Sequence, residues 1–425
     1  MTNLRDTADV CAVPTNDTKI TAQPPVPWSF ISEGEADAPC LSELTTLGIG
    51  GRPAEYVCAS TEEEFIAAVQ NADAQGDFSR LLVLGGGSNL VCCDADFRGR
   101  VVRDMRRGIT VEEQSGCGGV AVNVPAGQPW DEFVVQAIES GWMGVEALSG
   151  IPGTVGAAPV QNIGAYGQEV AETISSVTVW DRLEQRKRLF PVGEMGFGYR
   201  TSRIKKSLTG YGEACAEKTQ RCETGASIYW GPTGRWVVLQ VQFQMRFANL
   251  SRPVAYSQLA KLLGVKLGTR VPSVEVRKAV LELRRSKGMV LDWNDADSHS
   301  AGSFFTNPVI AAEDASMLPD DAPRYPVTDH TLITNIAGEA PEVEGLVKTS
   351  AAWLIDHAGF TKGYRLSVDA PAALSAKHAL AITNTGGASS ADILELARTV
   401  RDGVRKRFGI TLIPEPVFVG MSLDD

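Results

Sequence analysis

Between Gly144 and Glu169 the chain reads GVEALSGIPGTVGAAPVQNIGAYGQE, a stretch whose chemistry lies mainly in its backbone. Gly144, Gly150, Gly153, Gly156, Gly164 and Gly167 permit tight turns and close approach to a flat or anionic ligand, with no Cβ in the way. Pro152 and Pro159 fix φ between them, Gln161 and Asn162 add amide donors and acceptors, and Tyr166 adds an aromatic face with a hydroxyl. Neither helical nor strand periodicity runs through it. A long surface loop is the plain reading, but Gly and Pro at this density, with polar groups between them, favour a segment wrapped around a cofactor. A second backbone-rich element, Gly85-Gly86-Gly87-Ser88-Asn89, follows the apolar run Leu81 to Leu84. A strand running into a glycine turn suits N–H groups aimed at a phosphate. The full GxGxxG and helix start of a dinucleotide fingerprint are missing, and a turn simply joining two strands fits as well.

Regular elements must hold these loops in place. Ala54 to Ala59 reads as a strand, and Ser60 or Thr61 caps a helix with Glu63 or Glu64 three residues on and an apolar stripe of Phe65, Ile66, Val69 and Ala72. Leu81 to Leu84, Phe97 to Arg103, Ile109 to Glu113 and Val120 to Val124 read as strands. Pro129 starts a helix that carries Trp130, Phe133, Val134, Ala137 and Ile138 on one face and stops at Gly141. Beyond the long loop come a strand (Ser176 to Asp181), a polar turn FGYRTS at 197–202, a stretch at about 207–235 read as an insertion, and a closing strand (Val237 to Phe247). From about residue 248 helices dominate: 257–263, 273–286, 350–357, and a last one capped by Ser389 or Ser390 and stopped by Gly409. The end is extended, ITLIPEPVFVG, with Glu415 between two prolines that cannot donate ladder hydrogen bonds, so it belongs at an edge or in a cleft.

At 425 residues the chain is too long for one core and implies two or three domains. A net charge of −11 with no long basic block argues against a nucleic-acid partner; Arg182 to Arg188 and Arg401 to Arg407 read as short solvated faces. The eight cysteines are scattered without CxxC pairs, and four dispersed histidines offer no metal site. No apolar run approaches the roughly 20 residues that span a bilayer, and no secretory signal is visible, so a reduced, cytoplasmic protein without a membrane partner is expected. Residues 1–40 hold five prolines and a charge of −4 (two basic, six acidic side chains), which reads as a disordered tail.

Six segments in this order, LTTLGIGGRPAEY, LLVLGGGSNL, SGIPGTVGAAPVQNIGAYG, FGYRTS, AGSFFTNP and IPEPVF, resemble the UDP-N-acetylenolpyruvoylglucosamine reductase family from about Leu41 to Gly420. The resemblance implies an α+β, vanillyl-alcohol-oxidase-type FAD-binding fold: two α+β subdomains over 41–247 and a C-terminal α+β substrate-binding domain over 248–425, its last strand returning toward the flavin. It implies non-covalent FAD, NADPH as hydride donor, a small-molecule substrate and a monomer. The reaction is the reduction of UDP-N-acetylglucosamine-enolpyruvate to UDP-N-acetylmuramate, in peptidoglycan synthesis.

The same resemblance assigns side chains. Ser303 is the proton donor, Arg200 the cation facing the substrate carboxylate and enolate, and Glu415 the third catalytic group. Ile49, Gly50 and Gly85 to Asn89 (Gly85, Gly86, Gly87, Ser88, Asn89) fall to FAD. So do Ser149, Gly150, Ile151, Pro152, Gly153, Gly156, Ala157, Gln161, Asn162, Gly164, Ala165, Tyr166 and Gly167. Tyr256 is the lid tyrosine of the longer family type, Lys287 meets the UDP phosphates, and Asn307 is a substrate-binding amide; no metal is implied. The 207–235 stretch, with Cys215 and Cys222, is longer than the family pattern leads one to expect. An FAD-linked oxidase of a small alcohol or sugar is the rival on the same fold, but it has no reason to keep Arg200, Ser303 and Glu415, and such enzymes often tether FAD through His or Cys.

Overall fold

The computed structural model describes residues 19–23, 38–208, 229–328 and 341–424. The chain first builds a small parallel sheet. β1 (Pro53–Ala59) leads into α1 (Glu62–Asp73), which starts at Thr61 with the expected capping box: Thr61 Oγ1 accepts from Glu64 N at 3.1 Å. β2 (Leu81–Val83) and β4 (Phe97–Asp104) complete the order β1-β4-β2, while β3 (Leu90–Cys92) leaves it to pair elsewhere. Phe65, Val69 and Ala72 of α1 are buried against this sheet with Leu81 and Val102. Each such large apolar side chain contributes about 1.5–3 kcal/mol by leaving water.

An antiparallel sheet follows. β5 (Thr110–Ser115), β6 (Gly119–Pro125), β7 (Ile174–Asp181), β8 (Arg186–Pro191) and β9 (Trp236–Phe247) run in the order β8-β7-β9-β6-β5. β9 keeps Val241, Phe243 and Met245 inward at period two; α2 (Trp130–Glu139) packs Trp130, Phe133, Val134, Ala137 and Ile138 onto that face. Between α2 and β7 lies the glycine-rich loop, with almost no regular structure beyond a short ribbon of Gly164–Ala165 with Gln168–Glu169.

The C-terminal part carries α4 (Ser257–Leu263), α5 (Ser273–Ser286), α6 (Ala351–His357) and α7 (Ser390–Phe408), after the single-turn α3 (Arg203–Lys206) of the preceding region. A three-stranded sheet is formed by β10 (Val309–Ala311), β11 (Arg324–Thr328) and β12 (Glu342–Thr349), and a hairpin by β13 (Ala372–Leu374) and β14 (Ile382–Asn384). β15 (Val417–Val419) then pairs in parallel with β3, so the chain ends beside the Gly85–Asn89 turn, where Val417 N donates to Asn89 O at 3.0 Å.

Two expectations change. Residues 19–23, read as part of a disordered tail, lie on the body: Ile20 N donates to Glu139 Oε1 at 2.9 Å, and Arg277 Nη2 to Thr21 O at 2.9 Å. Arg182, read as part of a solvated face, is 1% exposed. Its guanidinium binds Asp73 and the carbonyls of Phe78, Thr233 and Gly234, and stacks near Trp230. Burial there is possible because every N–H is satisfied. Residues 229–235, the end of the stretch read as an insertion, pack into the same junction, with Trp230, Thr233 and Arg235 buried. Residues 209–228, with Cys215 and Cys222, lie outside the described residues.

Candidate active site

One long cavity gathers the Gly85–Asn89 turn, the loop from Ile151 to Gly164, α3, the 298–303 segment and Glu415. Two glycines close it. A Cβ on Gly86 would stand 2.6 Å from Gly153 Cα, so the two loops cross backbone to backbone. Asn89 Nδ2 donates to Gln161 Oε1 at 2.6 Å and Ser88 Oγ to Pro152 O at 3.1 Å, tying turn to loop. Apolar groups (Leu84, Val160, Ile204, Trp236, Val238) line the walls, and Arg200, Lys205 and Arg284 bring positive charge.

Arg200 comes from the FGYRTS turn, at φ +54°. Its Nη2 donates to Gly164 O at 2.7 Å, and its Nε stands 3.3 Å from Glu415 Oε1. That Nε is buried and makes no hydrogen bond among the described residues, because the ion pair is poorly aligned. A buried, unspent N–H in a cavity wall is a donor waiting for a ligand oxygen. Glu415 is 8% exposed, and its N–H donates to Phe304 O at 2.8 Å, which sets it beside Ser303. Arg200, Ser303 and Glu415 thus share one cavity although they come from three distant segments.

Of the remaining residues named from sequence, Gly85 to Asn89, Ile151, Pro152, Gly153, Gly156, Ala157, Gln161 and Gly164 line the cavity. Ile49 and Gly50 do not: Ile49 belongs to a buried apolar cluster, and a Cβ on Gly50 would meet Cys92 Cβ at 2.6 Å. Thr46 of the same segment lines it instead, bonded to Ser300 O at 2.6 Å. Ser149 and Gly150 stand behind the wall, Ser149 Oγ on Glu146 O and Gly150 N on Asp131 Oδ1, both at 2.7 Å. Asn162 is wholly buried and its amide bonds Glu169, Gly198 O and Ala171 N, so it pins the loop rather than facing the cavity.

Ala165, Tyr166 and Gly167 also lie off the cavity lining. Tyr166 instead meets Tyr256 edge-on at 5.4 Å, and Lys287 Nζ sits 5.7 and 5.8 Å from the two rings, donating to Gln258 Oε1 at 3.0 Å. Asn307 Oδ1 accepts from Ala351 N at 3.0 Å, and its amide reaches the Tyr199 hydroxyl next to Arg200.

Curated relatives match along nearly the whole length. The UDP-N-acetylenolpyruvoylglucosamine reductase of Cutibacterium acnes is 47% identical over 92% of this chain and 92% of its own. That of Thermobifida fusca is 45% identical, over 90% of this chain and 97% of its own. The chain belongs to the UDP-N-acetylenolpyruvoylglucosamine reductase family. Its residues 294–419 match that family's C-terminal domain, and residues 53–186 match an FAD binding domain. The solved UDP-N-acetylenolpyruvylglucosamine reductase of Thermus caldophilus shares the fold, with a TM-score of 0.53 at 23% identity, covering 90% of this chain and 97% of that one. The fold is therefore of the vanillyl-alcohol-oxidase type, α+β throughout. The cavity fits FAD: its crossed glycine loops leave room for a phosphate chain, its apolar walls for flat rings, and its cations for negative charge.

Three more residues of this family member border the site. Lys205, on α3 and fully buried, donates to Gln161 Oε1 at 3.3 Å and Glu415 O at 3.2 Å. Burial brings its pKa down to about 8, with Glu415 opposing and Arg200 adding to the fall. Arg284 has a buried Nε without a hydrogen bond among the described residues, while its Nη2 holds Met289 O at 2.7 Å. His378 stands beside Ser303. In the sequence, Lys205 lies one helical turn past the Ser202 cap, and Arg284 is three residues before Lys287 on the same helix face. Nothing local marks His378.

Proposed function

We propose that this chain reduces UDP-N-acetylglucosamine-enolpyruvate to UDP-N-acetylmuramate with NADPH, and that Arg200, Ser303 and Glu415 are its catalytic residues. The observation that carries the assignment of residues is the pair of half-buried Arg200 with buried Glu415, facing the cavity that Ser303 also lines. The Gly85–Asn89 turn and the Ile151–Gly164 loop would hold FAD, which would supply hydride chemistry with NADPH as the donor. Hydride addition to the methylene carbon drives negative charge into an enolate of the neighbouring carboxylate. Arg200, anchored on Gly164 O, directs its free Nε–H at that charge without having to reorganise. Glu415 holds the opposite side of the enol system, and Ser303 gives its hydroxyl proton to the carbon beside the carboxylate. Tyr256 and Lys287, already in contact with Tyr166, cover the nucleotide, and Asn307 orients the substrate from beside Tyr199.

A cytoplasmic monomer is the setting proposed. Cys40, Cys92 and Cys93 form no disulfide among the described residues, as a reducing compartment keeps them. Among the described residues no helix is long and apolar enough to cross a membrane.

Anaerobic NADPH oxidation by the purified protein, with and without the enolpyruvyl sugar nucleotide, tests the reading. Consumption should be stoichiometric with FAD alone and become catalytic when that substrate is added. Flavin reduction without reoxidation by the sugar nucleotide would overturn the function and leave the fold standing.

A further inference from the structure

A serine hydroxyl is a weak acid, and giving up its proton leaves an alkoxide that something must stabilise. Ser303 Oγ lies 3.4 Å from Nε2 of His378. The two are locked together through the backbone, because Phe304 N, the next residue after Ser303, donates to Leu380 O at 2.7 Å. The turn carrying His378 is itself closed by Ser375, whose Oγ accepts from His378 N at 3.1 Å and from Lys377 N at 3.0 Å. Neither partner can drift from the other without breaking that turn.

We propose that His378 is a positioning residue for proton transfer: as its Nε2–H tautomer it donates to Ser303 Oγ, aims the serine proton at the substrate carbon, and stabilises the alkoxide left behind. The inference rests on Ser303 being the proton donor. In the step, the Ser303 O–H bond breaks as a C–H bond forms at the carbon beside the carboxylate. The O–H electron pair stays on Oγ, His378 keeps its proton throughout, and water reprotonates Oγ, which accounts for the proton consumed with each NADPH.

The surroundings support a neutral donor rather than an acid. Burial, then the charges of Lys287, Lys362 and Arg284, bring the imidazole pKa down to about 4. At neutral pH it holds a single proton and has no spare one for the substrate. The same cations favour an alkoxide nearby. With Nε2 as acceptor, the serine proton would turn away from the substrate toward a poor base, so the donor tautomer is the productive one.

Asn and Gln variants separate the proposal from a packing role, since the Gln amide nitrogen reaches the Nε2 position and the Asn amide does not. In stopped-flow work on the FAD-loaded protein, His378→Asn should slow flavin reoxidation by the enolpyruvyl sugar on the order of 100-fold, the loss typical of one preorganised oxyanion donor. Reduction by NADPH should stay within about twofold, the solvent deuterium isotope effect on reoxidation should rise, and His378→Gln should recover most of the rate. Added to Ser303→Ala, His378→Asn should cost nothing further. Equal rates in the Asn and Gln variants, or losses that multiply in the double variant, would overturn the proposal. Reoxidation surviving in Ser303→Ala alone would instead remove the proton-donor reading beneath it.

Discussion

Arg200 Nε and Glu415 Oε1 stand 3.3 Å apart, so the turn after the glycine-rich loop and the last segment of the chain meet at one point of the cavity. The meeting has a conformational cost. Arg200 sits at φ +54°, a region that costs a residue bearing a side chain roughly 1–2 kcal/mol. Reciprocal Gly198–Thr201 backbone hydrogen bonds of 3.1 and 3.2 Å hold the turn, and Nη2 on Gly164 O fixes the guanidinium. Glu415 is placed from the other side by β15 pairing with β3 and by its N–H on Phe304 O. Strain kept by so many bonds at an ion pair in the cavity wall marks preorganisation for a ligand.

Arg200→Lys keeps a charge but loses the planar fork that reaches Gly164 and Glu415 together. Flavin reoxidation by the enolpyruvyl sugar should fall about 100-fold or more, corresponding to about 3 kcal/mol of enolate stabilisation. Reduction by NADPH should change little. Stopped-flow measurement of both half-reactions decides; equal losses in the two would make Arg200 a structural residue.

The loop crossing at Gly86 is a steric requirement, since the 2.6 Å that a Cβ would leave to Gly153 Cα is below any real contact. Gly86→Ala should destabilise the protein by about 1–3 kcal/mol and lower the flavin content of the purified material. At Gly193 an added Cβ meets nothing within 4 Å, so Gly193→Ala should stay within about 0.5 kcal/mol of the parent. Matching flavin content in the two variants would remove the crossing from the account of cofactor binding.

Lys205 gives a signature on the alkaline side. Its folded pKa of about 8 lies below the ordinary lysine value, so between about pH 8 and 10.5 the unfolded chain binds more protons than the folded one. The cost of burying the charge is present in full below pH 8 and relieved as pH rises through that window. Stability of the parent relative to Lys205→Met should therefore increase from pH 8 to 10, in chemical denaturation at each pH. A flat difference would show that the lysine titrates normally.

Much of this was readable in the residues. The Thr61–Glu64 capping box, the α2 stripe from Trp130 to Ile138 and the Gly409 stop of α7 (φ +73°) are local signals, and the structure has each where the pattern put it. The backbone character of the Gly85–Asn89 turn and of residues 151–164 was also legible, because glycine and proline act locally. What failed to show was tertiary. Arg182 looks like a surface charge until Asp73, Phe78 and Thr233 gather round it. Asn162 looks like a ligand amide until its own loop folds back and uses both sides of it. His378 carries no local mark at all, and it reaches Ser303 only through tertiary contacts such as the Phe304–Leu380 and Asn384–His299 backbone bonds.

Asp131 joins more of the molecule than any local pattern suggests. Its carboxylate, on α2, accepts from Arg277 of α5 (2.7 Å to each oxygen), from Gly150 N of the glycine-rich loop (2.7 Å) and from Gln23 N (2.5 Å). Burial alone would raise its pKa. The Arg277 hydrogen bonds and charge, with the two backbone N–H groups, outweigh burial and hold it below the usual carboxylate value. A lowered folded pKa means that the ionised carboxylate stabilises the fold at pH values above about 4, and that this contribution is lost as pH falls through the folded value. Asp131→Asn leaves Arg277 buried without its counter-charge and should cost about 3–5 kcal/mol at pH 7. The gap between parent and variant should narrow as the pH falls below 4, read from denaturation midpoints at pH 7 and pH 3. A gap that stays constant would mean that hydrogen bonding, which Asn partly keeps, rather than the negative charge, joins α2, α5 and the loop.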